Sequence, residues 1–405
     1  MTYEHTVDYL FSQLPNYQQQ GKTAYKADIG NIVSFCKRLE DPQKKLQCIH
    51  LAGTNGKGSV AHIIAAALQA SGHKVGIYSS PHLLDFRERI KINGEYISKE
   101  KVVDFVSTHT DYCEKNELSF FEWTTALAFE YFCEQSVDLA IIETGLGGRL
   151  DSTNVIQPIL SVITTIGMDH MDLLGNSLES IAHEKAGIIK KEAPVLIGAI
   201  DPSLHHIFQT KAKELSAPIY FTDQHIDFRA ESDLKPGYQK TNLSIAHAAC
   251  KLLEQVGWTT DFSNGIKHVA ATTGLLGRWQ IVESNPLTIL DCAHNEDGIR
   301  YAVQELEQTE GKVHIVFGTV KDKAHGKILE LLPKKAAYYF CASTNHRSMD
   351  ATELQEMATK HDLQGAFHRT VKAAIRAAQA EAQPNDTIYI GGSTFVVADS
   401  LLVFY

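Results

Sequence analysis

Cysteine is sparse and scattered in this chain. Seven cysteines, at positions 36, 48, 113, 133, 250, 292 and 341, are spread over 405 residues, and no two form a C-x-x-C pair. That spacing argues against a disulfide scaffold and against the common zinc sites. No apolar run approaches the ~20 residues that a helix needs to cross a bilayer. The opening residues, Met1 to His5, carry no basic region leading into an apolar core, so no signal peptide is expected. Internal repeats and low-complexity segments are lacking as well. Positive charge is in deficit: 38 Lys and Arg face 48 Asp and Glu, a formal net charge of −10. A general binder of nucleic acid or of acidic membrane would carry the opposite sign. The expectation is a reduced, cytoplasmic, soluble protein, a monomer, with no nucleic-acid and no membrane partner.

The chain is too long for one ordinary core. Its hydrophobic content of 44% and charged content of 21% suit a globular enzyme. Residues 1 to 46 read as helical, with a loop near Leu14 to Lys26 and a helix end at Asp41-Pro42. From there strands and helices alternate. Strands are expected at Ile49 to Ala52, Lys74 to Ser80, Leu139 to Thr144, Ile159 to Ile166 and Pro194 to Ala199. Helices are expected at Val60 to Ala70, Lys99 to Asn116, Phe121 to Gln135, Leu178 to Lys190 and Asn242 to Val256, and Asn93-Gly94 reads as a hairpin turn. A second α/β run starts near Pro286, with strands at 287–292, 313–318, 337–341 and 387–390. The boundary is expected in Gly274 to Asn285, where Gly274, Gly277, Asn285 and Pro286 interrupt the periodicity. The expected architecture is an N-terminal doubly wound, mostly parallel α/β domain with a phosphate loop over 1–280, and a smaller Rossmann-like α/β domain over 281–405. The second run has no glycine-lysine loop of its own, so a cleft between the domains is the expected active site.

The stretch that organises the first domain is Ile49 to Ser59. A buried strand runs into Gly53-Thr54-Asn55-Gly56-Lys57-Gly58-Ser59, and a helix follows. Glycines let the backbone turn tightly and aim its N–H groups inward. The helix N-terminus adds positive dipole toward an anion. Lys57 can reach the outer phosphates of a nucleotide, and the Ser59 hydroxyl can reach a phosphate or its magnesium. The common G-x-x-x-x-G-K-[ST] motif is not met to the letter, because Gly58 separates Lys57 from Ser59. Functional groups in open α/β sheets gather at the carboxyl ends of strands. Three further ends here carry polar residues: Ser79-Ser80-Pro81-His82, Glu143, and Gly167-Met168-Asp169-His170. A carboxylate, an imidazole and a serine hydroxyl converging on a phosphate loop suit magnesium.

These stretches, with Arg87-Glu88-Arg89-Ile90, Glu143 through Asn154, His183 through Lys190 and Asp291-Cys292-Ala293-His294-Asn295, resemble those of the folylpolyglutamate synthase and dihydrofolate synthase family. That family is a branch of the Mur-type ATP-dependent amide ligases, and the similarity covers nearly the whole chain. Gly58 after the lysine is typical of the folate branch. The resemblance implies ATP-dependent joining of L-glutamate to dihydropteroate, to the glutamate chain of reduced folates, or to both, through an acyl phosphate. It implies that Gly53 to Ser59 hold ATP. It implies that Ser59, Ser80, Glu143 and His170 serve Mg2+, with two ions expected, and that Lys185 carries a carbamate near the second. Asn242, Arg278, Asp291 and His294 match nucleotide contacts, with Lys57, His170, Lys185 and Arg278 catalytic. Phe121, Thr124 and Asp151 lie where a pterin ring is expected. Taken by itself, Lys185 reads as pairing with Glu184 or Glu179 on a helix surface. The chain departs from the family at Ala324, where Lys321-Asp322-Lys323 is usually followed by Asp, and in a short segment from Asp201 to Gly237. Two other readings compete. One is a Mur-type ligase acting on a sugar-nucleotide carboxylate. The other is a regulatory module in which nucleotide only drives domain closure.

Overall fold

A computed structural model describes residues 1–13, 28–222, 231–235, 237–321 and 325–405. The loop expected near Leu14 to Lys26 and the Asp322-Lys323-Ala324 departure lie outside those residues, as does part of the short 201–237 segment. The chain forms two compact units, Met1–Asp233 with Gln239–Leu275, and Leu234–Tyr238 with Leu276–Tyr405.

The first unit is built on an eight-stranded sheet. Its strands are β1 (Cys48–Ala52), β2 (Val75–Tyr78), β3 (Ile90–Ile92), β4 (Glu95–Tyr96), β5 (Leu139–Glu143), β6 (Leu160–Ile163), β7 (Val195–Ile197) and β8 (Ile219–Phe221). They lie in the order β4-β3-β2-β5-β1-β6-β7-β8. Strands β2, β5, β1, β6, β7 and β8 run parallel, while β3 and β4 form an antiparallel hairpin at the edge. The hairpin turns at Asn93 and Gly94, both at positive φ (50° and 82°), as a two-residue turn matched to strand twist requires. Strand β1 is central and every one of its residues is buried. This explains why apolar residues fill it on both faces, since strands covered on both sides do not alternate; the one polar residue, His50, is met by the Thr153 hydroxyl at 2.8 Å. The helix after it, Lys57–Ala70, is buried from Ser59 to Leu68, which fits its Ala, Ile and Leu content on all sides.

The second unit holds six strands, β9 (Gln280–Ser284), β10 (Leu287–Leu290), β11 (Val313–Phe317), β12 (Ala337–Cys341), β13 (Gly365–His368) and β14 (Thr387–Gly391). Their order is β13-β12-β11-β14-β10-β9, parallel except for β9. Its core gathers Ile289, Ile315, Phe317, Phe340, Leu354 and Tyr389.

Several expectations need correction. The helix Gly30–Arg38 stops before Pro42, and Pro42 instead opens a short helix, Pro42–Lys45, behind Asp41 in the left-handed region. Proline suits a first helical position because its missing N–H would be unpaired there anyway. The phosphate-loop helix starts at Lys57, three residues earlier than its apolar run, because its first residues, Lys57-Gly58-Ser59, carry no apolar side chain to mark them as helical in the sequence. Helix Gly237–Gln255 likewise starts before the expected Asn242. Strands β8, β9 and β13 and the helices His205–Glu214 and Thr394–Phe404 have no counterpart in the sequence reading. Strands β8, β9 and β13 lie at sheet edges and are largely exposed, so their sequences carry little burial pattern to read. No helix among the described residues is long and apolar enough to cross a membrane.

The N-terminal helix Tyr3–Gln13 is fastened by Asp85. Tyr3 Oη donates to Asp85 Oδ1 at 2.5 Å, and Arg87 Nη2 donates to Oδ2 at 2.6 Å. Burial pushes the Asp85 carboxyl up, but hydrogen bonds from Arg87 and Tyr3 outweigh it and hold the group at about 2, below its ordinary 3.8. A carboxyl depressed on folding stabilises the fold fully above its unfolded value, and that stability is lost as pH falls through the folded value. We expect Asp85→Asn to lower the urea midpoint at neutral pH. We also expect it to flatten the further loss of stability between about pH 4 and pH 2. Parallel acid profiles for the two proteins would contradict this.

Candidate functional site

Ala52 and Ile163 are register partners in the parallel pair β1 and β6, so the loops that follow the two strands emerge side by side. The phosphate loop is pegged to its neighbour. Thr54 N donates to Thr165 O at 2.9 Å, Asn55 N donates to Thr165 Oγ1 at 2.9 Å, and Thr164 Oγ1 donates to Asn55 O at 2.6 Å. The Thr54 hydroxyl exchanges bonds with the carbonyl and amide of Gly167 at 3.1 and 3.0 Å. There is no room for a side chain at Gly53, where a Cβ would lie 1.9 Å from Thr164 Oγ1. At Gly56, with φ +86°, a Cβ would lie 2.4 Å from Asn242 Oδ1. Asn242 therefore stands against the loop. It donates to Gln239 Oε1 at 2.8 Å, and Gln239 Nε2 donates to the buried Ser59 hydroxyl at 3.4 Å.

Lys57 folds back over its own loop, donating to Gly53 O at 3.0 Å and Thr54 O at 3.4 Å. Glu143 ends β5 and is buried. Its Oε2 accepts from Ser80 N at 3.3 Å, and it lies 3.6 Å from where a Cβ on Gly58 would be. A methyl group at position 58 would therefore stand in ordinary contact with this carboxylate. His82, in the same loop as Ser80, is turned away, its Nδ1 accepting from Arg89 Nε at 2.7 Å. After β6, Asp169 Oδ1 accepts from His170 N at 2.9 Å, and its other oxygen lies 3.8 Å from His170 Nε2. His170 is partly exposed and its backbone is left-handed, with φ +51°.

Lys185 is not on a helix surface. It is buried, and its neighbour Glu184 pairs with Arg149 at 2.7 Å. Burial lowers the Lys185 ammonium to about 7, and the charge of Lys57 adds to this, against the pull of Asp169 and Asp151. Lys185 therefore shares a neighbourhood with Lys57, Asp169 and Asp151. Among the described residues no three His, Cys, Asp or Glu side chains group to hold a metal. Magnesium does not require such a cage, because it is usually held by one or two carboxylates, phosphate oxygens and water. Glu143 beside the first turn of the phosphate helix is a donor of that kind.

The pterin-facing expectations divide. Phe121 is partly exposed and lies over Gly145, where a Cβ would meet its ring at 2.5 Å. Thr124 is closed to solvent and turns its hydroxyl back to Phe120 O at 2.6 Å, so it is not placed to meet a ligand. Asp151 is buried too. Its oxygens accept from Leu146 N at 2.8 Å, Thr153 N at 3.0 Å and Thr153 Oγ1 at 2.5 Å. It shapes the loop after β5 from within, and burial raises its carboxyl.

In the second unit, Arg278 is half-buried and donates to Gly277 O at 3.1 Å. Asp291, expected as a nucleotide contact, is nearly closed to solvent. It accepts from Trp279 N at 2.7 Å, Tyr238 Oη at 2.8 Å and Ala293 N at 2.8 Å. That makes it an internal clamp on three chain segments, and burial raises its carboxyl. His294 Nδ1 donates to Cys292 O at 2.8 Å.

Residues 51–281 match the Mur ligase middle domain, and residues 277–394 match the Mur ligase glutamate ligase domain. The dihydrofolate synthase/folylpolyglutamate synthase of Bacillus subtilis is 31% identical over 410 residues, which cover 93% of this chain and 95% of that protein. The chain belongs to the folylpolyglutamate synthase/dihydrofolate synthase family of Mur ligases. Solved structures agree with this. Escherichia coli FolC in complex with DHPP and ADP superposes with a TM-score of 0.86 at 29% identity, covering 100% of this chain and 97% of that one. A bifunctional folylpolyglutamate synthase/dihydrofolate synthase with Mn, AMPPNP and L-glutamate bound also gives 0.86 at 29% identity, covering 100% and 98%.

Within this Mur ligase frame, sequence reasoning passed over Thr164, Thr165 and Gln239, which hold the loop and Ser59. The two threonines read only as β-branched strand residues. Gln239 lay outside the expected helix. The glycines give a paired prediction. Gly53→Ala should cost about 1–3 kcal/mol of stability, the usual penalty of overpacking, because Thr164 must move. Gly58→Ala should fold with an unchanged urea midpoint. The opposite ranking in urea titrations would contradict the packing described.

Proposed function

We propose that this family member joins L-glutamate to a pterin-bearing carboxylate, using dihydropteroate and reduced folates alike, and converts ATP to ADP and phosphate. The observation that carries the reading is the pegged phosphate loop with Lys57, flanked at successive strand ends by Ser80, Glu143 and His170. Relatives solved with DHPP and ADP, and with Mn, AMPPNP and L-glutamate, support the substrate classes.

A free carboxylate is a poor electrophile. Its oxygen attacks the γ-phosphorus of ATP, ADP leaves, and an acyl phosphate forms. The glutamate amine then attacks the acyl carbon, loses a proton and expels phosphate. Such chemistry needs in-line positioning and neutralised charge more than covalent help. In the first unit Lys57 supplies fixed positive charge, and the N–H groups of Gly53 to Ser59 orient the phosphates. Ser59, Ser80, Glu143 and His170 are the residues that would hold divalent metal. Metal when bound neutralises phosphate charge. Phe121 offers an aromatic face to the pterin, while Asp151 shapes the loop beneath. Lys185, held near 7 by burial, is largely neutral above that pH. A neutral amine adds to carbon dioxide and sheds a proton. The resulting carbamate is an anion with oxygens suited to a hard metal.

Purified protein with ATP, magnesium and glutamate should release ADP with either dihydropteroate or tetrahydrofolate, and product mass should rise by one glutamyl unit. Product from tetrahydrofolate alone would narrow the enzyme to polyglutamylation, and product from neither would reject the proposal. Lys57→Ala should fold normally and lose roughly 10²–10³-fold in turnover, as when one electrostatic stabiliser is removed. For Lys185, a crystal structure should show density of carbamate size on Nζ, and Lys185→Ala should be nearly inactive with partial rescue by a small carboxylate. A bare ammonium together with an active alanine variant would rule the carbamate out.

A further inference from the structure

We propose that His62 and Lys91 are positioning residues that lock the first turn of the phosphate-loop helix to the last segment of the first unit. The inference rests on reading Gly53 to Ser59 as a nucleotide phosphate loop. His62 lies one helical turn after Gly58, and its Nδ1 is 2.7 Å from Gly58 O. A carbonyl only accepts, so Nδ1 carries the proton. The other ring nitrogen, Nε2, lies 3.0 Å from Lys91 Nζ. With Nδ1 protonated, a neutral ring leaves Nε2 as an acceptor, and Lys91 donates to it. Lys91 Nζ donates also to Gly274 O at 3.0 Å. The path is continuous: Gly274 carbonyl, Lys91 ammonium, His62 imidazole, Gly58 carbonyl.

The end of this path matters because the peptide unit is rigid and planar. The Gly58 carbonyl and the Ser59 N–H belong to one peptide plane and point in opposite directions. Fixing the first therefore fixes the second. The Ser59 N–H is among the helix-end donors that have no intrahelical acceptor, the first intrahelical bond being Val60 N to Gly56 O at 2.8 Å. Such donors are what an anion meets at a helix N-terminus.

The other end of the path is equally fixed. Gly274 caps helix Val269–Thr273 in the left-handed region, with φ +65°. The hairpin that carries Lys91 presses on the same helix end, for a Cβ on Gly94 would lie 2.3 Å from Thr272 O. Both His62 and Lys91 are nearly closed to solvent, with 3% and 2% of their surface exposed. Burying an ammonium between an imidazole and a carbonyl is costly, and a methionine would fill the same space without that cost. The cost is understandable if the cation keeps the loop in the geometry that binds phosphate.

The test uses the full chain, a non-hydrolysable ATP analogue with magnesium, and calorimetric titration. Lys91→Met and His62→Leu should each weaken analogue binding about tenfold, the effect of losing one hydrogen bond to a charged group. The double variant should be no weaker than either single one, because the two residues act in series. KM for ATP should rise while KM for glutamate stays unchanged. Unchanged analogue affinity in a folded Lys91→Met or His62→Leu protein would overturn the inference. Losses that add in the double variant, or that extend equally to glutamate and follow a falling urea midpoint, would assign the pair a purely structural role and overturn it as well. Wild-type protein that bound no analogue would overturn the phosphate-loop reading itself, and this inference with it.

Discussion

The hydroxyl of Thr164 and the absence of a side chain at Gly53 are two halves of one constraint. Where a Cβ would sit on Gly53, Thr164 Oγ1 already stands at 1.9 Å, reaching across to the Asn55 carbonyl at 2.6 Å. The loop can close down on the end of β6 only because its first residue is bare. Once closed, the N–H groups of Thr54 and Asn55 are taken by Thr165 and the Thr54 hydroxyl by Gly167, and the next residues turn directly into the helix. The remaining candidate groups follow from sheet order. Strands β2, β5, β1 and β6 are adjacent and parallel, so Ser80, Glu143, the phosphate loop and Asp169-His170 leave the sheet on one edge. Crossover connections of α/β units make this the edge at which ligands bind.

Much of that edge is legible in the sequence, because each strand end announces itself chemically. An apolar run stops and a glycine, a carboxylate or a histidine follows. The limits have physical causes. Lys185 sits in a stretch with charges at spacings that suit a solvent-facing helix, and nothing local tells that Glu184 is taken by Arg149 while Lys185 turns inward. Asp291 precedes a helix and resembles a ligand or a cap, yet Tyr238 and Trp279 reach it from 53 and 12 residues away. Such long-range partners have no trace in a local pattern. Thr124 fails for a simpler reason. A threonine in a helix readily returns its hydroxyl to the carbonyl four residues back, so its presence near a candidate pocket carries little information. Edge strands β9 and β13 escaped because exposed edges lack the alternation that marks a half-buried strand.

The charge balance completes the physical picture. The chain is acidic overall, at −10, and an acidic surface repels nucleotide and folate carboxylates. The first unit nevertheless buries Arg89, Lys91 and Lys185 almost completely. Neutral partners receive two of them: Arg89 donates to the His82 ring, and Lys91 to the His62 ring and a carbonyl. Burial pushes all three below their ordinary values, Arg89 to about 10, Lys91 to about 8 and Lys185 to about 7. The charges that oppose this push belong in part to the candidate site: Glu143 for Arg89 and Lys91, Asp169 and Asp151 for Lys185. Cations held in low dielectric interact far more strongly with an arriving anion than surface lysines do, because less water screens them. A few inward charges can therefore outweigh a larger outward excess of the opposite sign. On this view the acidic excess of the chain does not decide the charge near the candidate site, where the buried cations Arg89 and Lys91 stand near the carboxylates Glu88 and Glu143, and the same burial that weakens each of these two cations makes an anionic ligand a partner that restores it.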